Sequence, residues 1–377
     1  MIAAGDKSEP LPPLYAAWVA EFLPGIIPRE SRATCDDCAM CSHGKEQEHP
    51  EKDYFDPAIK CCSYVPHLHN FLVGRILSDD DPASSFGRAT VEKRIKDGVA
   101  VTPLGLDRPP VFSLVYENST EAFGKSRNLR CPHYLEDGGG RCGIWRHRES
   151  TCATWFCKHV RGSIGYSFWH KSLHQLLMAV ENELARWCVL ELNLDTEALR
   201  HLISPAGVGS KSDSLTSEAV DNRVDRDEYE RVWGGWLGRE GEFFSECSRL
   251  VNPLSWNDVI AICGTEARAH IRLTRDAYSR LVSDEIPPAL KVGGMQLVQI
   301  TRDTARVSTY SVFDPVDIPS AVMESLHYFD GRPTEEAIAA VASERGIQLD
   351  PSLVRKMVDF ELLIPPEPAN RRDVRRT

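Results

Sequence analysis

The chain has 377 residues, a formal net charge of −11, 42% hydrophobic residues and twelve cysteines. That length predicts two or three domains, and that apolar content is enough for a buried core, which excludes a wholly disordered chain. The acid excess argues against a general nucleic-acid binder, which would present a basic face, so nucleic acid is not expected as a partner.

The first ten residues lack the basic stretch and apolar core of a secretory signal. The apolar stretch from Leu14 to Ile27 is interrupted by Glu21, Pro24 and Gly25, so it is not a membrane span. A cytoplasmic location with no membrane partner is therefore expected. In that reducing compartment clustered cysteines are metal ligands or redox groups more often than disulfides, whereas in a secreted chain the same residues would be a disulfide framework.

Residues 12–28 predict a short amphipathic helix, with Leu14, Trp18 and Phe22 at steps of four and Pro24 and Pro28 as its stop. Residues 31–70 carry five cysteines among charged and turn-forming residues, and are expected to be loop-rich with little apolar packing of their own. A short helix is predicted over 88–97, then irregular chain around Pro103, Pro109 and Pro110. A second cysteine group fills 125–162, with Gly138-Gly139-Gly140 as a turn. From Tyr166 to about Leu192 the periodicity is helical: Leu173, Leu176, Leu177, Val180, Leu184, Trp187 and Cys188 make one apolar stripe. Residues 203–226 read as a linker, and 227–283 as helical with a break at Pro253. Met295–Ile300 and Ala305–Phe313 read as two strands. A helix follows from Thr334 to Gly346, with Ile338, Val341 and Ala342 on one face, then another with Asp350 as N-cap and Pro351 at its first position. The second helix turns Val354, Met357 and Val358 inward. The basic tail, 367–377, is expected to be disordered.

Nine of the twelve cysteines fall between 35 and 157: Cys35, Cys38, Cys41, Cys61, Cys62, Cys131, Cys142, Cys152 and Cys157. Thiolates two residues apart can grip one ion, and nine could serve two four-ligand sites with one left over. The run Cys35-x2-Cys38-x2-Cys41 with a remote fourth cysteine suits a cubane iron–sulfur cluster, the favoured reading, with one or two clusters possible. An all-thiolate set also suits zinc, the alternative. Covalent haem is excluded because Ser42, not His, follows Cys41. Gly124-Lys125-Ser126 has the ending of a phosphate loop, but Ser119 stands where its first glycine is needed.

Residues 125–161 hold eight Lys or Arg against three acids, which supports thiolates because four of them around zinc or an oxidised cubane leave a charge of about −2. Within this stretch Arg127, Arg130 and Arg148 are the candidate contacts to the cofactor or to an anion beside it. His43, His133, His147 and His159 read as hydrogen-bond partners of a metal centre rather than ligands. His170 and His174, one turn apart, lack a third ligand and read as surface residues of a helix, while Cys188, Cys247 and Cys263 read as small buried apolar residues.

The second group, CPHYLEDGGGRCGIWRHRESTCATWFC, resembles a cysteine-cluster family described as a zinc- or iron-chelating domain and related to flagellin lysine N-methylases. That family carries CxxCxxCC and then C…CxIYxxRPxxC. Cys142 to Cys152 fits the second pattern at full spacing, with Trp145 for Tyr and Glu149 for Pro. In the first pattern Ser42 follows Cys41 and the vicinal pair comes at 61–62, so which of Cys41, Cys61 and Cys62 are ligands stays open. The resemblance covers roughly 35–162. It implies a bound metal and an enzyme acting in protein or peptide modification; the alternative is a non-catalytic, zinc-stabilised binding or scaffold protein. Asp330 to Ile338 and Leu353 to Leu363 resemble PqqD-like winged-helix domains, which implies a protein or peptide substrate accepted by edge addition near Val307–Phe313.

The expected fold is α+β, predominantly helical: a loop-rich metal-bound cysteine domain with a long helix at 1–202, the linker 203–226, a helical region at 227–288, a small winged-helix-like domain at 289–366 and the tail.

Overall fold

Pro13 opens the first helix, α1 (Pro13–Phe22), at a position where its missing N–H would have had no partner inside the helix. The structure, a computed structural model, describes residues 11–31, 38–41, 54–137, 139–203 and 221–366. It is α+β and predominantly helical. The chain continues through β1 (Leu68–His69), α2 (Asn70–Leu77), α3 (Ser85–Asp97), β2 (Val101–Thr102), β3 (Gly105–Leu106), α4 (Pro110–Asn118), β4 (Tyr134–Leu135), β5 (Arg141–Cys142), α5 (Ser150–Thr154) and α6 (Gly162–Tyr166). A π-helical stretch, Ser167–Leu173, leads into α7 (His174–Glu191). Then come α8 (Thr196–Ile203), α9 (Arg226–Trp233), α10 (Glu240–Val251) and α11 (Trp256–Val282), the last broken at Gly264. The remaining elements are β6 (Ala289–Val292), β7 (Gln296–Ile300), β8 (Thr304–Ser308), β9 (Val316–Pro319), α12 (Ser320–Ser325), β10 (Asp330–Pro333), α13 (Thr334–Arg345), α14 (Pro351–Asp359) and β11 (Leu363–Ile364).

These elements form two compact units. One comprises Met1–Arg29, Thr34–Trp155 and Ser172–Arg275; the other comprises Glu30–Ala33, Phe156–Lys171 and Asp276–Thr377.

The core of the first unit is α2, α7 and α10. Phe71, Leu72, Val73 and Ile76 of α2 are buried, as are Phe243, Phe244, Cys247 and Val251 of α10. Each of the phenylalanine, leucine, isoleucine and valine side chains among them contributes roughly 1.5–3 kcal/mol of burial. Trp233 of α9 meets Phe243 and Phe244 edge-on, with both ring pairs 5.6 Å apart. The stripe predicted on α7 is buried from Leu173 to Cys188, apart from a half-buried Trp187. β1, β3 and β2 form a small antiparallel sheet in that order, and β4 pairs with β5 as a hairpin.

Two local expectations change. Of the loop-rich stretch, Met40, Phe55, Ile59, Val65 and Leu68 are buried, so it has apolar packing of its own. These residues are isolated along the chain and show no periodicity, yet the Phe55 N–H donates to the Met40 carbonyl at 2.8 Å and brings them together. Around the prolines at 103–110 the chain makes the β2–β3 hairpin and then α4, because Pro110 starts a helix at N1 rather than breaking one. Most of the linker, 204–220, and the tail lie outside the described residues.

In the second unit β6 lies between β10 and β11, and β8 between β7 and β9. Leu290, Val307, Ile318, Phe329, Val341, Val354 and Met357 form its core. Gly346 closes α13 in the left-handed conformation (φ 65°). The Asp350 carboxylate accepts from the Ser352 N–H at 2.7 Å and starts α14, as its position before Pro351 predicts. The strand expected over 305–313 ends at Ser308, and it is the middle strand of three, so its edges are already paired. β7 and β9 are the outer strands, each paired on one side only. The strands β6, β9, β10 and β11 have two to four residues each, too few for a readable alternation. Among the described residues no helix is long and apolar enough to cross a membrane.

Candidate metal centre

Four separate stretches of the first unit carry the candidate thiols. In the first, the Cys41 N–H donates to the Cys38 carbonyl at 3.0 Å, and Cys41 bridges to Phe55. In the second, Asp56 organises a helical turn: its carboxylate accepts from the Ala58 N–H at 2.8 Å and its carbonyl from the N–H groups of Ile59 and Lys60. The vicinal pair Cys61–Cys62 completes that turn, with the Cys62 N–H on the Ile59 carbonyl.

The third stretch is tied to the second through backbone. The Cys131 N–H donates to the Cys62 carbonyl at 2.7 Å. Cys142 on β5 pairs with Tyr134 on β4, and the Gly143 N–H donates to the His133 carbonyl at 2.7 Å. Helix α3 closes on this hairpin through Gly87: a Cβ there would stand 2.1 Å from the Gly143 carbonyl oxygen. The fourth stretch is α5. Glu149 is its N-cap, accepting from the N–H groups of Thr151 at 2.6 Å and Cys152 at 2.9 Å, which sets Cys152 in the first turn.

The thiols act on one another. A hydrogen bond from Cys41 brings the Cys38 thiol down to about 6, while the same bond and burial push Cys41 up. Cys61 is likewise lowered by a hydrogen bond with Cys62, and Cys62 is raised. Burial and then the charge of Cys142 push Cys131 up to about 12. Cys152 is raised by burial, then by Glu149, Cys142 and Cys131. Thiolates at Cys61 and Cys142 make those of Cys62 and Cys131 harder to form, as expected of like charges in one neighbourhood. A thiophilic cation would reverse that penalty. Two pairs of thiols share a hydrogen bond, Cys38 with Cys41 and Cys61 with Cys62, and among the described residues no group of three or more His, Cys, Asp or Glu side chains stands close enough to hold one metal ion. The fit to a metal therefore rests on the chemistry of the donors.

The other candidates are distributed as follows. Cys35 and His43 lie outside the described residues. Cys157 and His159 belong to the second unit, where the buried His159 donates its backbone N–H to Asp314 at 3.1 Å. Arg127 pairs with Asp56 at 3.1 Å and Arg130 with Glu136. Arg148 is buried and lies 3.3 Å above the Trp145 ring; burial pushes the Cys142 thiol up, and the Arg148 charge opposes that in part. His133 is buried against the Thr90 hydroxyl at 2.7 Å, and His147 against Asp79 at 2.7 Å. His174 is buried and bonded to Thr151 at 3.1 Å, so it is not the surface residue its helix position suggests. Cys188, Cys247 and Cys263 are buried.

Sequence reasoning missed an acidic core behind α5. Glu181 of α7 is 1% exposed. Its carboxyl group accepts from the Ser150 N–H at 2.8 Å, bonds the Ser150 hydroxyl at 2.5 Å and bonds the Tyr15 hydroxyl. Burial, then the charge of Glu149, raises it to about 8. His69 lies 3.8 Å away and is held neutral, burial pushing it down to about 3. One signal was available: Glu181 is an acid inside the apolar stripe between Leu177 and Leu184.

No family model, no curated protein and no solved structure matches this chain.

Proposed function

We propose that this protein binds a thiophilic metal through the cysteines of its first unit, an iron–sulfur cluster by preference, and that it acts in the modification of a protein or peptide. One observation carries the metal reading: seven cysteines from four separate stretches, Cys38, Cys41, Cys61, Cys62, Cys131, Cys142 and Cys152, influence one another's ionisation. A bound cluster supplies electron transfer or substrate ligation. The chain's own residues stack Arg148 on the Trp145 ring, three residues after Cys142, and cap the helix of Cys152 with Glu149.

The peptide part of the reading concerns a winged-helix-like second unit. β7 is paired on one side only and leaves Leu297, Val298 and Ile300 exposed by 52%, 56% and 67%. An extended peptide would add there rather than at β8.

The backbone ties between the second and third cysteine stretches favour a second reading, structural zinc in a non-catalytic binding or scaffold protein. Anaerobic purification with iron, sulfide and zinc analysis decides between them. The first reading expects a brown protein with iron and sulfide; the second expects a colourless one with stoichiometric zinc. A protein with neither metal ends both.

A further inference from the structure

The two outer strands of the sheet β7–β8–β9 differ in how they meet solvent. β9 carries features that keep a sheet edge from pairing further: Asp317, bonded to Arg306 at 2.7 Å, and Pro319, which has no N–H to donate. β7 has neither. From Gly293 to Thr301 the chain holds no charged residue and no proline. All five residues of β7 are exposed, and among the described residues it pairs with β8 alone. Leu297 and Ile300 stand opposite Val307 and Ala305 of β8, both buried. Residues directly opposite share a face of the sheet. The apolar face that β8 buries therefore continues onto β7 and there meets water.

The order of residues on β7 selects a partner. Gln296-Leu297-Val298-Gln299 has the same polarity read in either direction, amide, apolar, apolar, amide. A second copy of this strand, laid antiparallel about a two-fold axis between Leu297 and Val298, sets Gln296 against Gln299 and Leu297 against Val298. Amide meets amide and apolar meets apolar, and no charge of a chain that carries −11 enters the contact. The register shift between Leu297 and Gln299 leaves Val298 with no opposite residue on β8.

We propose that β7 is a self-association edge: two copies of this chain pair β7 with β7, antiparallel about a two-fold axis, and join their three-stranded sheets into one of six strands. Pairing through one five-residue strand falls in the range below roughly 1,200 Å² that marks weak encounters, so the dimer forms only at high concentration. The inference is independent of the metal reading. It makes the peptide proposed above a competitor of the second copy for the same edge.

Sedimentation velocity of the full-length protein, from a few micromolar to several hundred, reads the association, with far-UV circular dichroism as the check on folding. The parent is expected to pass from monomer toward dimer across that range. Val298→Lys and Leu297→Glu each bring like charges into the contact at exposed positions, and each is expected to weaken association about tenfold or more. Mixing the two variants sets the new ammonium opposite the new carboxylate and is expected to restore association. A parent that stays monomeric, or that grows past a dimer, overturns the inference. So do single variants that associate like the parent, and a mixture that shows no recovery. A monomeric parent that binds an extended apolar peptide at β7 leaves the peptide reading standing and ends this one. Should a variant fail to fold, amide hydrogen exchange of the parent replaces it: residues 296–300 are expected to exchange several-fold more slowly at the highest concentration than at the lowest, and equal rates overturn the inference.

Discussion

Cys38 and Cys41 share one hydrogen bond and are driven to opposite acidities by it, and Cys61 and Cys62 repeat the arrangement. Removing one sulfur from such a set leaves its neighbours without the ion that would hold them. Cys62→Ser and Cys152→Ser are therefore expected to release metal, measured by elemental analysis after gel filtration. Cys247 is fully buried, unlike the half-buried Cys62 and Cys152, and its neighbour is Cys188 within the helical core. Cys247→Ala should keep the metal and cost about 1 kcal/mol of stability. Equal metal loss in all three variants would refute this division of the cysteines. Glu181 makes a pH prediction. Its folded value of about 8 lies above that of an unfolded glutamate, so across that window the folded state holds a proton the unfolded state has lost. Stability should fall as pH rises from about 4.3 toward 8, then level off. Glu181→Gln, which can keep the contacts to Ser150 and Tyr15, should flatten that slope and gain stability relative to the parent at pH 9, read from urea midpoints at pH 6 and pH 9. A parallel pH dependence in the two proteins would count against a protonated Glu181.

At the scale of elements, two close approaches set the architecture of the first unit. At Gly74, α2 meets α10 so closely that a Cβ would stand 1.9 Å from the Phe244 carbonyl oxygen. Gly87 of α3 is in the same position against Gly143, next to Cys142. Gly74→Ala and Gly87→Ala are each expected to cost about 1–3 kcal/mol in urea unfolding, since backbone must shift to admit the methyl group. Only Gly87→Ala should also weaken metal retention; if Gly74→Ala lowers it as much, the effect comes from global destabilisation. Helices α7, α13 and α14 were legible because their stripes and caps are local signals. The β2–β3 hairpin, α4 and the four short strands were not, because two to nine residues give periodicity too little length.

For the whole molecule, the division into two units predicts that removal of the proposed metal is a local event. Chelation is expected to speed amide hydrogen exchange at 54–64 and 131–152, while the core around Val307, Val341 and Met357 keeps its protection. Uniform acceleration along the chain would show that the units unfold together. What the amino-acid sequence determined by itself was the material: nine cysteines clustered between 35 and 157, the apolar stripe of α7, and the capped helices near the C-terminus. These are readable because neighbours in sequence decide them. Tertiary structure alone decided which sulfurs share a neighbourhood, that Cys157 falls in the second unit, that Arg127 and Arg130 are engaged by Asp56 and Glu136, and that Lys60 and Glu181 are buried beside the cysteine stretches. Electrostatic interaction depends on distance through space and on exclusion from water, and neither is set by spacing along a chain that turns back on itself.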